Sequence, residues 1–377
     1  MEATTYLPSK PHYEILDGLR GVAAIMVVIF HLFEPHSTSH LDQIINHGYL
    51  AVDFFFVLSG FVIGYAYDDR WGKMTCMDFF KRRVIRLQPM LVIGMVIGAV
   101  CYYFQASVAF PVIGETPVWK MILVMVVGFT LIPLPVSMDI RGWTEMHPLN
   151  GPAWSLFFEY IANILYALFI RKFSKVVLSV FVFLSGCALV HMALTSPNGD
   201  VIGGWSLEWE QLHIGFCRLL YPFFGGLLLY RIGKLVKVKA GFWACSLLLI
   251  IIMSWPRVGG EELWKNGLYD SFCIIVLFPL IVAMGAGSDI KGKYSVPVCK
   301  FLGNISYPLY ITHYPIVYIY TGYVADHHLS WHQTWPWLIA IVPFCVLMAY
   351  ACLKLYDEPV RNWLKNKFLV KREKITA

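Results

Sequence analysis

The chain is poor in charge. Only 14% of its 377 residues are Asp, Glu, Lys or Arg, while 58% are hydrophobic; a soluble domain carries about 25% charged residues. That shortage excludes an ordinary soluble enzyme held by one anchor and points to a polytopic membrane protein. Cysteine offers no framework either. The nine cysteines are an odd number, lie mostly within apolar runs and include no CxxC pair, so they read as small core residues. No small-residue cleavage site follows the first apolar run, which is therefore expected to be kept rather than removed as a signal. Polar linkers, repeats and a soluble domain are also missing. One integral membrane domain is expected over 12–364, with a basic cytoplasmic tail at 365–377. The net charge of +6 does not indicate nucleic acid, because the cations are scattered in short segments between apolar runs.

What the chain has is length of apolar sequence. Runs able to form a spanning helix of about 20 residues lie near 16–33, 47–66, 89–106, 153–170, 176–194, 214–230, 240–255, 267–286, 302–324 and 335–356. A further run at 118–135 contains Lys120 and ends in IPLP, which suits a re-entrant or interfacial segment better than a span. The expected fold is all-α, with about ten transmembrane helices plus that segment. The positive-inside rule supports this count. With both termini cytoplasmic, all of the 30 Lys and Arg residues fall inside except Lys120, Arg141, Arg218, Arg257 and Lys265. The outer segments, 107–152, SPNGDVIGGWSLEWEQ and DHHLSWHQTW, are rich in Trp and His. Interfacial anchoring is the first reading of those tryptophans, and sugar stacking the second. HSTSH has a zinc-like spacing, but no cysteine or carboxylate set completes a site, and no metal is expected. The cations after Tyr356 suit anchoring to acidic lipid on the inner surface.

The first apolar run, LDGLRGVAAIMVVIFH, carries two ionisable groups that a bilayer makes costly, Arg20 and His31. Eleven residues apart, they fall about 20° from the same helical face after three turns, separated by about 16 Å along the axis. An arginine fork suits phosphate oxygens, and a histidine is the usual general base near neutral pH. The plain alternative is an Asp17–Arg20 pair at i, i+3 with His31 at the interface.

Other runs bear on that choice. YLAVDFFFVLSGFVIGY holds Asp53 and Ser59-Gly60-Phe61; FFKRRVIRLQP holds Arg82, Arg83 and Arg86. GPAWSLFFEY holds Trp154, Ser155 and Glu159; LGNISYPLYITHYP holds Tyr307, Tyr310 and His313. Together with DGLRGVAAIMVVIFH, and in order from about residue 12 to YDEPVRNWL at 356–364, these resemble the signature runs of the acyltransferase 3 family of integral membrane O-acyltransferases.

The resemblance implies about ten spans in a plasma (bacterial inner) membrane, and transfer of an acyl group, usually acetyl, from cytoplasmic acetyl-CoA. The implied acceptor is a hydroxyl of a surface polysaccharide, lipopolysaccharide or other lipid-linked glycan; small-molecule or amine acceptors are the alternative. A transporter is the non-enzymatic rival, since intramembrane Arg, His and Asp also mark solute and proton pathways. By resemblance Arg20 and His31 are the residues on which function depends most, with Arg83 and Arg86 also linked to it. On that basis Arg83, Arg86, Arg82 and Lys81 are expected to meet the CoA phosphates. The pantetheine arm would pass Arg20, and His31 would act as general base or carry the acyl group. Asp53 or Glu159 is expected to orient His31. Trp154 is a belt residue or a wall of the acceptor site, with the belt preferred. Ser59 is read as a packing residue with no base beside it, and Tyr310 and His313 are further site candidates.

Overall fold

The computed structural model describes residue 10 and residues 12–369; the expected tail at 365–377 therefore lies mostly outside the described residues. No β-strand occurs among them. Helix α1 (Glu14–Phe33) has Glu14 and Asp17 in its first turn and His31 in its last, the arrangement that complements the helix dipole. A single 3-10 turn at Glu34–His36, with Pro35 inside it, stops the helix. Next come α2 (Ala51–Tyr67) and α3 (Cys76–Cys101). A capping box between Thr75 and Asp78 starts α3 well before the expected span at 89. The KRRVIR run is thus carried on a regular helix and not on a loop.

After a single α-helical turn at Val112–Glu115, the chain continues through α4 (Val118–Gly128), α5 (Ala153–Leu168), α6 (Lys175–Thr195), α7 (Trp209–Ile232) and α8 (Gly241–Ser254). After them, α9 (Trp264–Phe272) runs through a π-turn into α10 (Phe278–Gly287). Then follow α11 (Ser295–Thr312) and α12 (Tyr314–His327). The last pair, α13 (Trp331–Cys352) and α14 (Glu358–Phe368), is joined by a second π-turn.

Among the described residues seven helices are long and apolar enough to cross a membrane, as a multi-pass membrane protein requires. The expected count of ten is not reproduced by that measure. Helices α4, α5 and α8 are apolar but only 11, 16 and 14 residues long, and the run at 302–324 is two helices interrupted at His313. The interruption has a local cause. Pro315 has no N–H to give to the carbonyl of Ile311, and the side-chain amide of Asn150 takes that place, 2.7 Å from the oxygen.

Two close helix seams build the interior. In one, α1 lies along α11, and a Cβ at Gly21 would overlap the Leu302 carbonyl. In the other, α2 lies along α7: a Cβ at Gly60 would overlap the carbonyl of Phe223, and one at Gly226 that of Val57. Small residues that let backbones touch are the usual basis of helix association in lipid, where no hydrophobic drive separates helix from surroundings. Asp53, Val57 and Gly60 follow one another at i, i+4 and i+7, so all three face α7. Ser59, one residue off this face, is half-buried with no histidine or carboxylate hydrogen-bonded to it among the described residues.

Candidate active site

A cavity of about 690 Å³ opens at the end of the bundle where α1 finishes. His31 and Glu34 line it from α1 and the turn that follows; Trp143, Trp154, Trp205, Tyr310, Tyr314 and Tyr318 supply an aromatic wall. Residues 37–41 and Gln43 form part of its rim. That segment is pinned from beneath: Gln43 Nε2 donates to the Phe30 carbonyl at 2.9 Å, and the buried His47 ring meets the Trp255 carbonyl at 2.8 Å and Asn266 Oδ1 at 3.0 Å.

The functional geometry begins with His31. Its Nδ1 lies 2.8 Å from Glu34 Oε2. A carboxylate can only accept, so Nδ1 carries the proton and Nε2 is left as the basic nitrogen. The pair arises locally. Glu34 sits three residues after His31, one helical turn on, and the 3-10 turn at Pro35 keeps its side chain against the ring. The two side chains keep 18% and 27% exposure, enough for a substrate to reach them and too little for water to screen them fully.

Neither Asp53 nor Glu159 is hydrogen-bonded to His31, contrary to the expectation that one of them orients it. Asp53 is fully buried on the α7 face of α2, where the Arg218 fork holds it: Nη2 to Oδ2 at 2.7 Å and Nε to Oδ1 at 3.2 Å. Arg218 also donates to the carbonyls of Tyr49 and Gly203, at 2.8 and 3.2 Å. Removing one member of such a buried pair strands the other charge, at a cost of about 3–5 kcal/mol. Glu159 is paired with Arg83 of α3. Helical phase decides both outcomes: each carboxylate faces the helix against which its own helix packs. Trp154 is 8% exposed, lines the cavity and stands 5.3 Å from the Arg218 guanidinium. It is a cavity wall, not the lipid-belt residue preferred from sequence. Tyr310 also lines the cavity, its hydroxyl 2.8 Å from Ser155 Oγ.

The opposite end of α1 is basic. Arg20 Nη1 is 3.1 Å from Asp17 Oδ1, the i, i+3 pair anticipated as the plain alternative, and His12 Nδ1 lies 3.1 Å from Asp17 Oδ2. The Asp17 partnership raises the His12 pKa above its usual value. Arg86 is within electrostatic reach of Arg20, Arg83 and Asp17, and it keeps accessible surface. Arg82 is half-buried, whereas Arg83 is 4% exposed and committed to Glu159. Arg20, Arg83 and Arg86 are therefore gathered at one end of the helix whose other end presents His31 and Glu34. No group of three metal-ligating side chains occurs among the described residues.

A family model described as an acyltransferase domain matches residues 13–355. The chain belongs to the acyltransferase 3 family. A 164-residue stretch of this family member is 32% identical to protein 2 in the picA locus of Rhizobium radiobacter, covering 41% of this chain and 80% of that protein. Over 380 residues it is 24% identical to the O-acetyltransferase OatA of Staphylococcus aureus strain NCTC 8325, covering 96% of this chain and 58% of that protein. A putative O-acetyltransferase of S. aureus strain COL is 26% identical over 334 residues, covering 82% of this chain and 52% of its own length. The chain thus spans little more than half of these staphylococcal relatives. No solved structure matches.

Several residues at or beside the candidate site were not singled out from the sequence. Glu34 was within reach of helical spacing, one turn beyond the end of the motif. The loop residues Arg141, Trp143 and Glu145 carry no periodic signal. Arg141 is fully buried, lies 3.5 Å from the Tyr318 ring centroid, and donates to the Pro148 carbonyl and to Gln105 Oε1. Glu145 accepts from the Tyr318 hydroxyl at 2.5 Å, and burial pushes its pKa up to about 7 despite Arg141 nearby. His313 is fully buried behind the cavity, its ring stacked 5.7 Å from that of His31 at an interplanar angle of 25°.

Proposed function

We propose that this membrane acyltransferase moves an acetyl group from acetyl-CoA, entering at the basic end of the bundle on the cytoplasmic side, to a hydroxyl of a carbohydrate acceptor held in the aromatic cavity. The observation that carries the reading is the two-ended α1. Arg20 and its neighbour Arg86, with Arg82 one helical turn before Arg86 on α3, offer phosphate-binding cations at one end, while His31 with Glu34 opens on a cavity at the other. The wall of Trp143, Trp154 and Trp205 suits the faces of sugar rings. Arg83, neutralised by Glu159, ties α3 to α5, and the phosphates fall to Arg86 and Arg82 together with Arg20, whose partner Asp17 lies at the same end of the helix.

In this reading His31 Nε2 takes the proton of the acceptor hydroxyl as its oxygen attacks the thioester carbonyl. Collapse of the tetrahedral intermediate breaks the carbon–sulfur bond. The imidazolium returns its proton to the departing thiolate, so the products are an acetate ester and free CoA. Glu34 holds the ring in the base-competent tautomer and offsets the imidazolium charge while it lasts, the part played by the carboxylate of a Ser-His-Asp triad. The test is mass spectrometry of cell-surface glycans with and without the gene, paired with acetyl-CoA turnover by membranes containing the protein. An acetyl-sized mass difference and His31-dependent turnover are expected. Membranes that neither bind nor consume acetyl-CoA would refute the reading.

A further inference from the structure

His313 carries a hydrogen-bonding capacity that the protein leaves unused. Its Nδ1 lies 3.0 Å from the Leu309 carbonyl and 2.9 Å from that of Tyr310. Both neighbours only accept, so Nδ1 holds the proton and Nε2 presents a lone pair. That Nε2 is buried and receives no hydrogen bond from any described residue. A buried acceptor without a donor is costly and calls for an explanation. The ring is held at the interruption between α11 and α12, outside regular helix, with its face against His31. His313 does not line the aromatic cavity, although Tyr310 and Tyr314 on either side of it do. In the acyl-CoA reading the thioester has to reach His31, and the His313 ring beside it is then within range of the rest of the donor's arm.

We propose that His313 Nε2 accepts the hydrogen bond of the cysteamine amide N–H in the pantetheine arm of the acyl donor, and so sets the thioester against His31. The inference rests on the acyl-CoA reading above. The chemistry fits the spacing: in an acyl-CoA that amide nitrogen is separated from the sulfur by two methylenes. The thioester and the amide can thus meet two rings whose centroids are 5.7 Å apart. The two histidines then divide the work by their anchors. His31, on a carboxylate, handles the proton; His313, pinned by carbonyls in one neutral tautomer, is a positioning residue for the donor.

The experiment compares acetyl-CoA with an analogue in which the cysteamine amide N–H is replaced by an ester oxygen, using the full-length protein in detergent or vesicles. One net hydrogen bond corresponds to a preference of about tenfold. Wild type is expected to show a KM about tenfold lower for acetyl-CoA than for the analogue, with kcat little changed. His313→Phe should show the higher KM with both donors, and His313→Gln, whose side-chain oxygen can stand in for Nε2, should restore the preference. A wild type that does not distinguish the donors overturns the inference, as does a His313→Phe variant that distinguishes them equally. Loss of kcat in His313→Gln as deep as in His313→Phe, at unchanged KM, would make the residue a base instead. A wild type that turns over neither donor fails at the earlier step and removes the acyl-CoA reading itself.

Discussion

Replacing Glu34 is the sharpest test of the chemistry at the end of α1. In Glu34→Gln the acceptor oxygen at 2.8 Å from His31 Nδ1 becomes one end of an amide that can also donate. The ring is then free to adopt the opposite tautomer, with the proton on Nε2, where it cannot act as a base. A hydrogen bond to a charged group contributes about 1.5–3 kcal/mol net. At about 1.4 kcal/mol per decade of rate, that corresponds to a fall in kcat of roughly 10- to 150-fold. The lower half of that range is the better expectation, because Glu34 keeps 27% of its side-chain surface and water compensates in part. The assay is transfer of labelled acetyl from acetyl-CoA by purified protein in detergent. Thermal unfolding serves as the control for folding, and acetyl-CoA binding is expected to stay near wild type. Glu34→Ala should fall at least as far as Glu34→Gln, and His31→Ala should abolish transfer while retaining binding. If both Glu34 variants kept kcat within twofold of wild type while His31→Ala was inactive, His31 would be working without Glu34 and the argument would fail.

Two further outcomes separate roles that the sequence ran together. Arg86→Ala should weaken acetyl-CoA binding by roughly tenfold with little change in thermal stability, since the residue keeps accessible surface and is hydrogen-bonded to no carboxylate among the described residues. Arg83→Ala should instead lower the unfolding temperature, because it strands Glu159; calorimetry and ligand binding on the two variants would expose a reversal. Glu145 predicts a pH effect on stability. Its pKa is raised from 4.5 to about 7 in the folded protein, mainly by burial. The folded state therefore binds this proton more tightly than the unfolded one, and stability falls as pH rises between about 4.5 and 7. Glu145→Gln should flatten that slope in thermal unfolding series, and an unchanged slope would show that another group sets it.

The motifs that made the family legible were all local, and the structure shows why local reading went as far as it did. Arg20 and His31 share a face because the helix turns once every 3.6 residues, whatever surrounds it. The Thr75 capping box carried the KRRVIR run into α3, earlier than hydropathy indicated, because a cap and a run of good helix formers prolong a helix beyond its apolar part. The run at 118–135 suits a re-entrant or interfacial segment better than a span, and its helix α4 has 11 residues. Partners were another matter. Asp53 and Arg218 lie 165 positions apart, and Glu159 and Arg83 lie 76 apart. Depth along a span was the only guide to them, and depth does not say which neighbouring helix a side chain faces.

The sequence by itself determined the membrane class, the family, and the placing of a cation and a base at opposite ends of one helix, because each follows from composition or from the pitch of a single helix. The tertiary structure decided which carboxylate serves the base, which arginine is already neutralised, and which tryptophan walls a cavity. It also brought His313 against His31, across a contact between two helices nearly 300 residues apart in the chain. Those outcomes depend on close seams such as Gly60 with Phe223 and Gly21 with Leu302. A seam fixes the rotation of one helix against the next, and no periodicity within either helix contains that rotation.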